Sequence, residues 1–238
     1  AAIVPRTQDY KKKILYTLFA FCVSCGVGLG AGLLREITDQ QLRSPRDFAR
    51  ITQLPVVAAI PDAEEDPALD GCNHALLAAQ HTTSRSADEF RRVLSRILYP
   101  EENGAEANTI LVASPSRGDG KTSVACNLAV ALGHSNRRVL LLDLNSQRAD
   151  VEKAFGLERG PGLLEVLDGL YDRETLLHAS TYGNVSVLGP GLRGGGLSSR
   201  LASREMIEFL EWADEHFDHT IIDTPAFLLL SDAKLLAP

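Results

Sequence analysis

The stretch TILVASPSRGDGKTSVACNLAVAL, Thr109 to Leu132, leaves the chain few folds to choose from, because strand, glycine-bearing turn and helix succeed one another without a spacer. Thr109 to Ala113 is a short β-rich apolar run, Ser114 to Gly120 supplies the turn, and Val124, Leu128, Ala131 and Leu132 recur at helical spacing. Gly118 and Gly120 let the backbone curl so that successive N–H groups and the helix N-terminus converge on one anion. The stretch therefore predicts a phosphate-binding loop formed by Ser116, Arg117, Gly118, Asp119, Gly120, Lys121, Thr122 and Ser123. Lys121 would reach the β- and γ-phosphates of ATP, and the Thr122 hydroxyl would face the accompanying Mg2+. The full pattern GxxxxGK[ST] is not met, since Pro115 stands where the first glycine belongs. A structural glycine turn is the competing reading, and the strand-to-helix context favours the nucleotide.

Downstream of Leu132 the chain alternates in the same way. Arg138 to Leu144, RVLLLDL, reads as a continuously apolar, buried parallel strand carrying Asp143 near its end. Asn184 to Leu188 is a weaker strand, and Arg204 to Phe217 an amphipathic helix expected to turn Met206, Ile207, Leu210, Ala213 and Phe217 to the sheet, with Trp212 as a packing residue. His219 to Asp223, HTIID, is a further strand ended by an aspartate. Ligands of open α/β sheets bind at the carboxyl ends of the strands, where both acids fall. With Lys121 and Thr122 they make a set suited to a Mg–nucleotide: Thr122, Asp143 and Asp223 as metal-facing groups, and Lys121, Asp143 and Asp223 as catalytic ones. Either aspartate alone could be no more than a helix cap.

A second constraint lies upstream. Ile14 to Leu34 carries no charge, and at about 1.5 Å per residue it is long enough for the roughly 30 Å hydrocarbon core of a bilayer. It predicts a transmembrane helix bracketed by Lys11, Lys12 and Lys13 on one side and Arg35 and Glu36 on the other. A signal peptide lacks a small-residue cleavage site here, and a buried core helix would seldom be apolar all round. Gly26, Gly28, Gly30 and Gly32 form two overlapping GxxxG pairs that would permit close helix approach, and equally could be small residues without a partner. Basic residues near the two ends balance, so charge does not orient the helix. ATP and a reducing environment place the phosphate loop in the cytoplasm. Beyond the helix, Asp47 to Ile51 reads as a short helix, Leu54 to Pro61 as extended, Asp62 to Asp70 as a solvated linker, Ser84 to Tyr99 as an amphipathic helix, and Glu101 to Ala107 as a loop.

The resulting fold class is α/β, a P-loop NTPase-type mostly parallel sheet with flanking helices, incomplete at its C-terminus and preceded by one transmembrane helix. The expected division is a tail 1–13, a membrane helix 14–34, a juxtamembrane segment and linker 35–84, and a nucleotide-binding domain 85–238. The net charge of -7 argues against a nucleic-acid partner. The cysteines Cys22, Cys25, Cys72 and Cys126 suggest neither a disulfide framework nor a metal set. A chain opening on Ala1 reads as a fragment or a processed product.

These residues carry a family resemblance. SPSRGDGKTSVACNLA is similar to the SPxxGEGKS/T…NLA loop of bacterial polysaccharide co-polymerase tyrosine autokinases, including Ser114, Pro115 and Asn127. VLLLDLNSQRADVEKAFGL resembles their second acidic motif, HTIIDTPA their Walker B motif, and LREITDQQLRSPRDFARITQLPVVAAIP their juxtamembrane segment. The resemblance implies a bacterial inner-membrane protein that transfers the ATP γ-phosphate to tyrosines of a neighbouring copy, with ATP and Mg2+ as cofactors. It would form a homo-oligomer and work with the machinery that polymerises and exports exopolysaccharide or capsule. Asn145 stands where that motif usually has its second acid, and DEFRRVLSRI matches the oligomerisation pattern ExxRxxR only as Asp88, Arg91 and Leu94. No tyrosine cluster lies between the nucleotide core and Pro238. Two alternatives stay open: a catalytically silent nucleotide-binding co-polymerase, and a partition-type P-loop ATPase, whose second lysine would fall at Ser116.

Overall fold

The computed structural model describes residues 9–38, 45–61, 74–80, 84–99, 108–146, 148–192 and 197–225. The expected linker at 62–70, the loop at 101–107 and Cys72 lie outside the described residues. The chain divides into two compact units, Ala1–Val56 and Val57–Pro238.

In the first unit, helix α1 (Asp9–Thr38) contains the whole apolar run and continues past Arg35 and Glu36 without a break. Within it, Lys12–Gly32 is long and apolar enough to cross a membrane by length and composition. Two of its hydroxyls turn back on the helix: Thr17 Oγ1 donates to Lys13 O at 2.8 Å and Ser24 Oγ to Phe21 O at 2.9 Å. Polar groups that would be costly in hydrocarbon are thus satisfied internally. Helix α2 (Pro45–Thr52) starts on a proline, whose fixed φ and missing N–H suit a first helical turn.

The second unit begins with residues 57–61, which form neither helix nor strand. A 3-10 turn His74–Leu76 leads into the short α3 (Leu77–Gln80) and then α4 (Arg85–Leu98). Ser84 caps α4 by accepting from Ala87 N at 3.1 Å, satisfying one orphan donor of the first turn. Phe90 is buried, and Val93, Leu94, Ile97 and Leu98 pack partly buried beside it, the face predicted from spacing. Strand β1 (Thr109–Val112) and helix α5 (Lys121–His134) flank the phosphate-loop stretch. After them come β2 (Val139–Asp143), the short helices α6 (Asp150–Ala154) and α7 (Leu163–Leu167), β3 (His178–Ala179), β4 (Val185–Leu188), α8 (Leu197–Arg200), α9 (Arg204–His216) and β5 (His219–Asp223).

The sheet order is β1-β5-β2-β4-β3, parallel except for the β3–β4 pair. Successive side chains of a strand point to opposite faces, and β2 shows why its sequence is apolar throughout. Val139 and Leu141 enter a core with Ala125, Leu128 and Leu132 of α5, while Leu140 and Leu142 enter a second core with Met206, Phe209 and Ala213 of α9. Both faces are covered, so no position is left for a polar residue until Asp143. One expectation fails on α9: Ile207 is 55% exposed, and Phe209 is the buried aromatic. Met206, Phe209 and Ala213 share one stripe at i, i+3 and i+7, and Ile207 sits one residue, about 100°, off that stripe. Leu210, Trp212 and Phe217 line its edge, partly buried.

Candidate functional site

The carboxyl ends of β1, β5 and β2 bring the candidate residues to one edge of the sheet. Leaving β1, the chain turns through Gly118 at φ +87° and Gly120 at φ +81°, left-handed conformations that strain any residue with a Cβ. Gly120 offers α5 no side-chain cap, so the first-turn N–H groups remain open toward the loop. Asp119 Oδ2 accepts from Ser116 N at 2.8 Å, which closes the loop on itself. That bond and the Ser114 hydroxyl hold the Asp119 carboxyl below its ordinary range. Lys121 Nζ folds across the loop to Ser114 Oγ at 2.9 Å and Ser116 O at 3.0 Å.

Thr122 and the aspartates meet beside it. Thr122 Oγ1 donates to Asp223 Oδ2 at 2.6 Å, joining the first turn of α5 to the end of β5. Asp143 and Asp223 are register partners on neighbouring parallel strands, so their carboxyls emerge side by side. Asp143 Oδ1 accepts from Asn145 N at 2.7 Å. The other two oxygens, Asp143 Oδ2 and Asp223 Oδ1, are buried and have no hydrogen-bond partner. Burial, then the nearby Asp223 charge, pushes Asp143 up to about 8. Burial pushes Asp223 to about 6, against the pull of Thr122 and Lys121. Two buried carboxyls cannot both ionise cheaply without a positive charge between them. Their bare oxygens are hard donors of the kind Mg2+ prefers, and a threonine hydroxyl completes the set, so the residues present fit a divalent cation.

Ser116, Arg117, Gly118, Asp119 and Gly120 lie exposed along the loop, while Lys121, Thr122 and Ser123 are half-buried in the first turn of α5. Lys121, Thr122, Asp143 and Asp223 lie at one edge of the sheet, Thr122 bonded to Asp223 and Asp143 in register with it. Ser123 O is engaged inside the helix, accepting from Asn127 Nδ2 at 2.8 Å. Two acids were not anticipated from sequence. Asp150 and Glu152, on α6, add negative charge toward Asp223 and Asp143 respectively. Glu152 is 2% exposed, and burial lifts its carboxyl above the ordinary range. Helix α6 spans a turn and a half, too short for a periodic signal to mark Glu152 as inward-facing.

Known proteins resemble this chain over most of its length. Residues 110 to 216 match the CobQ/CobB/MinD/ParA nucleotide binding domain. The tyrosine-protein kinase ptk of Acinetobacter johnsonii is 27% identical over 99% of this chain, and the tyrosine-protein kinase etk of Escherichia coli K12 is 27% identical over 98%. The chain spans about a third of the length of these curated relatives, 33% and 34% respectively. Among solved structures, the BceF tyrosine kinase domain superposes with a TM-score of 0.70 at 25% identity, covering 83% of this chain and 82% of that one.

Proposed function

We propose that this chain, a relative of the bacterial tyrosine-protein kinases with a nucleotide-binding domain of the CobQ/CobB/MinD/ParA kind, is the membrane-anchored catalytic part of a protein-tyrosine autokinase. In this reading it sits in the bacterial inner membrane with the nucleotide domain in the cytoplasm. It phosphorylates tyrosines of a neighbouring copy within a homo-oligomer and so regulates polymerisation and export of exopolysaccharide or capsule. The supporting observation is the pairing of Thr122 with Asp223 beside two buried, unpartnered carboxylate oxygens, opposite the ammonium of Lys121.

Each residue has a task set by its position. Lys121 exchanges its contacts to Ser114 and Ser116 for the nucleotide phosphates, and the open amides from Gly118 into α5 take the remaining phosphate oxygens. Thr122 and Asp223 would hold Mg2+, with Asp143 beside Asp223. A bound metal would supply positive charge where the transferred phosphoryl group gathers negative charge. Asp143 Oδ2, free of any donor, orients the acceptor hydroxyl and takes its proton. Half-buried Asn145 contributes an oxygen donor without charge, which favours one second reading, a co-polymerase that binds nucleotide to set its assembly state and phosphorylates nothing.

Labelled ATP incubated with the membrane-embedded protein separates the two. Label on tyrosine supports the kinase; nucleotide bound without labelled tyrosine supports the silent scaffold. Lys121→Ala should abolish ATP binding in either case, and undiminished binding by that variant would overturn the site.

A further inference from the structure

The turns after β2 and β4 meet at one side chain that the proposed site leaves unused. Arg159, on the segment between α6 and α7, donates from Nη2 to Ser146 O at 2.7 Å and to Gly191 O at 3.4 Å. Ser146 belongs to the turn after β2, whose Asn145 N–H holds Asp143 Oδ1. That turn is otherwise tied back to the sheet through Leu144 N, which donates to Asp223 O at 2.9 Å. Gly191 belongs to the turn after β4, which is itself fixed. Gly189 O accepts from Leu163 N at 2.9 Å, and Leu192 N donates to the buried Glu165 at 3.2 Å. Glu165 also accepts from Gly162 N at 2.9 Å, so the segment bearing Arg159 is anchored to the same carboxylate. The guanidinium further lies within electrostatic reach of buried Glu152, whose carboxyl it pulls down.

We infer that Arg159 is a positioning residue for phosphoryl transfer: it fastens the outer side of the Asp143 turn to the anchored turn after β4, so that Asn145 N–H holds one oxygen of Asp143 and leaves the other aimed at the acceptor. A guanidinium suits the task because it is planar and always charged, so one nitrogen, Nη2, is held between the two carbonyls while the charge stays beside Glu152. A lysine keeps the charge on a flexible stem and loses the planar rigidity that holds the donor between the two turns.

This inference rests on the kinase reading, and the experiment separates the two. Arg159→Ala and Arg159→Lys are compared with the unsubstituted protein and with Arg204→Ala, whose side chain pairs with Glu208 on α9. Three measurements are made: affinity for a fluorescent ATP analogue, kcat and KM for tyrosine phosphorylation, and hydrogen exchange at Asn145 and Ser146. Arg159→Ala should lower kcat about tenfold or more, shift nucleotide affinity less than about twofold, and speed exchange at Asn145 and Ser146 while Leu141 stays protected. Arg159→Lys should recover part of kcat. If Arg159→Ala leaves Glu152 uncompensated and lowers stability, Arg159→Ala with Glu152→Gln removes that charge and must still show the kcat loss. An unchanged kcat in Arg159→Ala, or unchanged exchange at Asn145, overturns the inference. If the unsubstituted protein binds nucleotide and labels no tyrosine, the kinase reading falls, and the catalytic role of Arg159 falls with it. The exchange result then decides the clamp by itself.

Discussion

Asp143 and Asp223, buried at adjoining strand ends, are destabilising when both are ionised in the folded protein. Both carboxyls are raised, Asp143 to about 8 and Asp223 to about 6, from an unfolded value near 4. A raised folded value means that the native state binds more protons than the unfolded chain between pH 4 and 8. The contribution of these two groups to the stability of the nucleotide-free protein is therefore full below pH 4 and declines as pH rises through 6 and then 8. Asp143→Asn, which is neutral at every pH, should flatten that decline and raise the thermal midpoint at pH 8 by roughly 2–8 °C. It should also abolish tyrosine phosphorylation. Scanning calorimetry at pH 5 and pH 8 checks the first effect, and a variant as pH-sensitive as the parent would sink it. The complementary change is Asn145→Asp. A third acid next to two buried ones should lower the midpoint without nucleotide, while tightening the Mg2+ dependence of ATP binding several-fold. A Mg2+ titration of nucleotide binding reads that directly.

At the level of elements, α9 shows how much of the fold the sequence makes legible and where it stops. Its limits, its partner sheet and the burial of Met206 and Ala213 can be read from spacing alone, as can β2 and β5, whose apolar runs end on aspartates. The orientation of the helix is less legible, because Met206, Ile207, Phe209 and Leu210 leave two adjacent stripes equally apolar. The choice falls to Phe209, which packs against Trp212 at a ring separation of 5.7 Å. Phe209→Ala should cost about 3–5 kcal/mol. Ile207→Ala, at an exposed site, should stay within about 0.5 kcal/mol. Urea midpoints of the two variants decide it, and equal losses would contradict this packing. The site divides in the same way. The loop and the two strand-end aspartates are written as contiguous motifs, whereas Glu152, Glu165 and Arg159 lie on five-residue helices and the turn between them, where no periodicity marks which side chain turns inward.

On the scale of the whole molecule, two kinds of stability coexist in one chain. Among the described residues, the unit Val57–Pro238 buries two cores of its own, one on each face of the sheet. Helix α1 has no such protection. Phe19 is 68% exposed, Val23 48% and Leu29 71%, and a continuous apolar cylinder of this length in water has only lipid or another helix to cover it. The two behaviours should separate under substitution. A lysine at the centre of a spanning helix costs about 2.5–3.5 kcal/mol in insertion, so Phe19→Lys combined with Val23→Lys should offset most of the favourable transfer of the remaining Leu, Ile, Phe and Val residues. The double variant should leave the carbonate-resistant membrane pellet, while ATP affinity, assigned in the proposed site to Lys121 and Thr122 of the other unit, stays within about twofold of the parent. Retention in the pellet would remove the case for a spanning helix. Loss of nucleotide binding together with the membrane would show instead that the phosphate loop needs the anchored state to assemble, as it would if the competent site formed only between copies held in one bilayer.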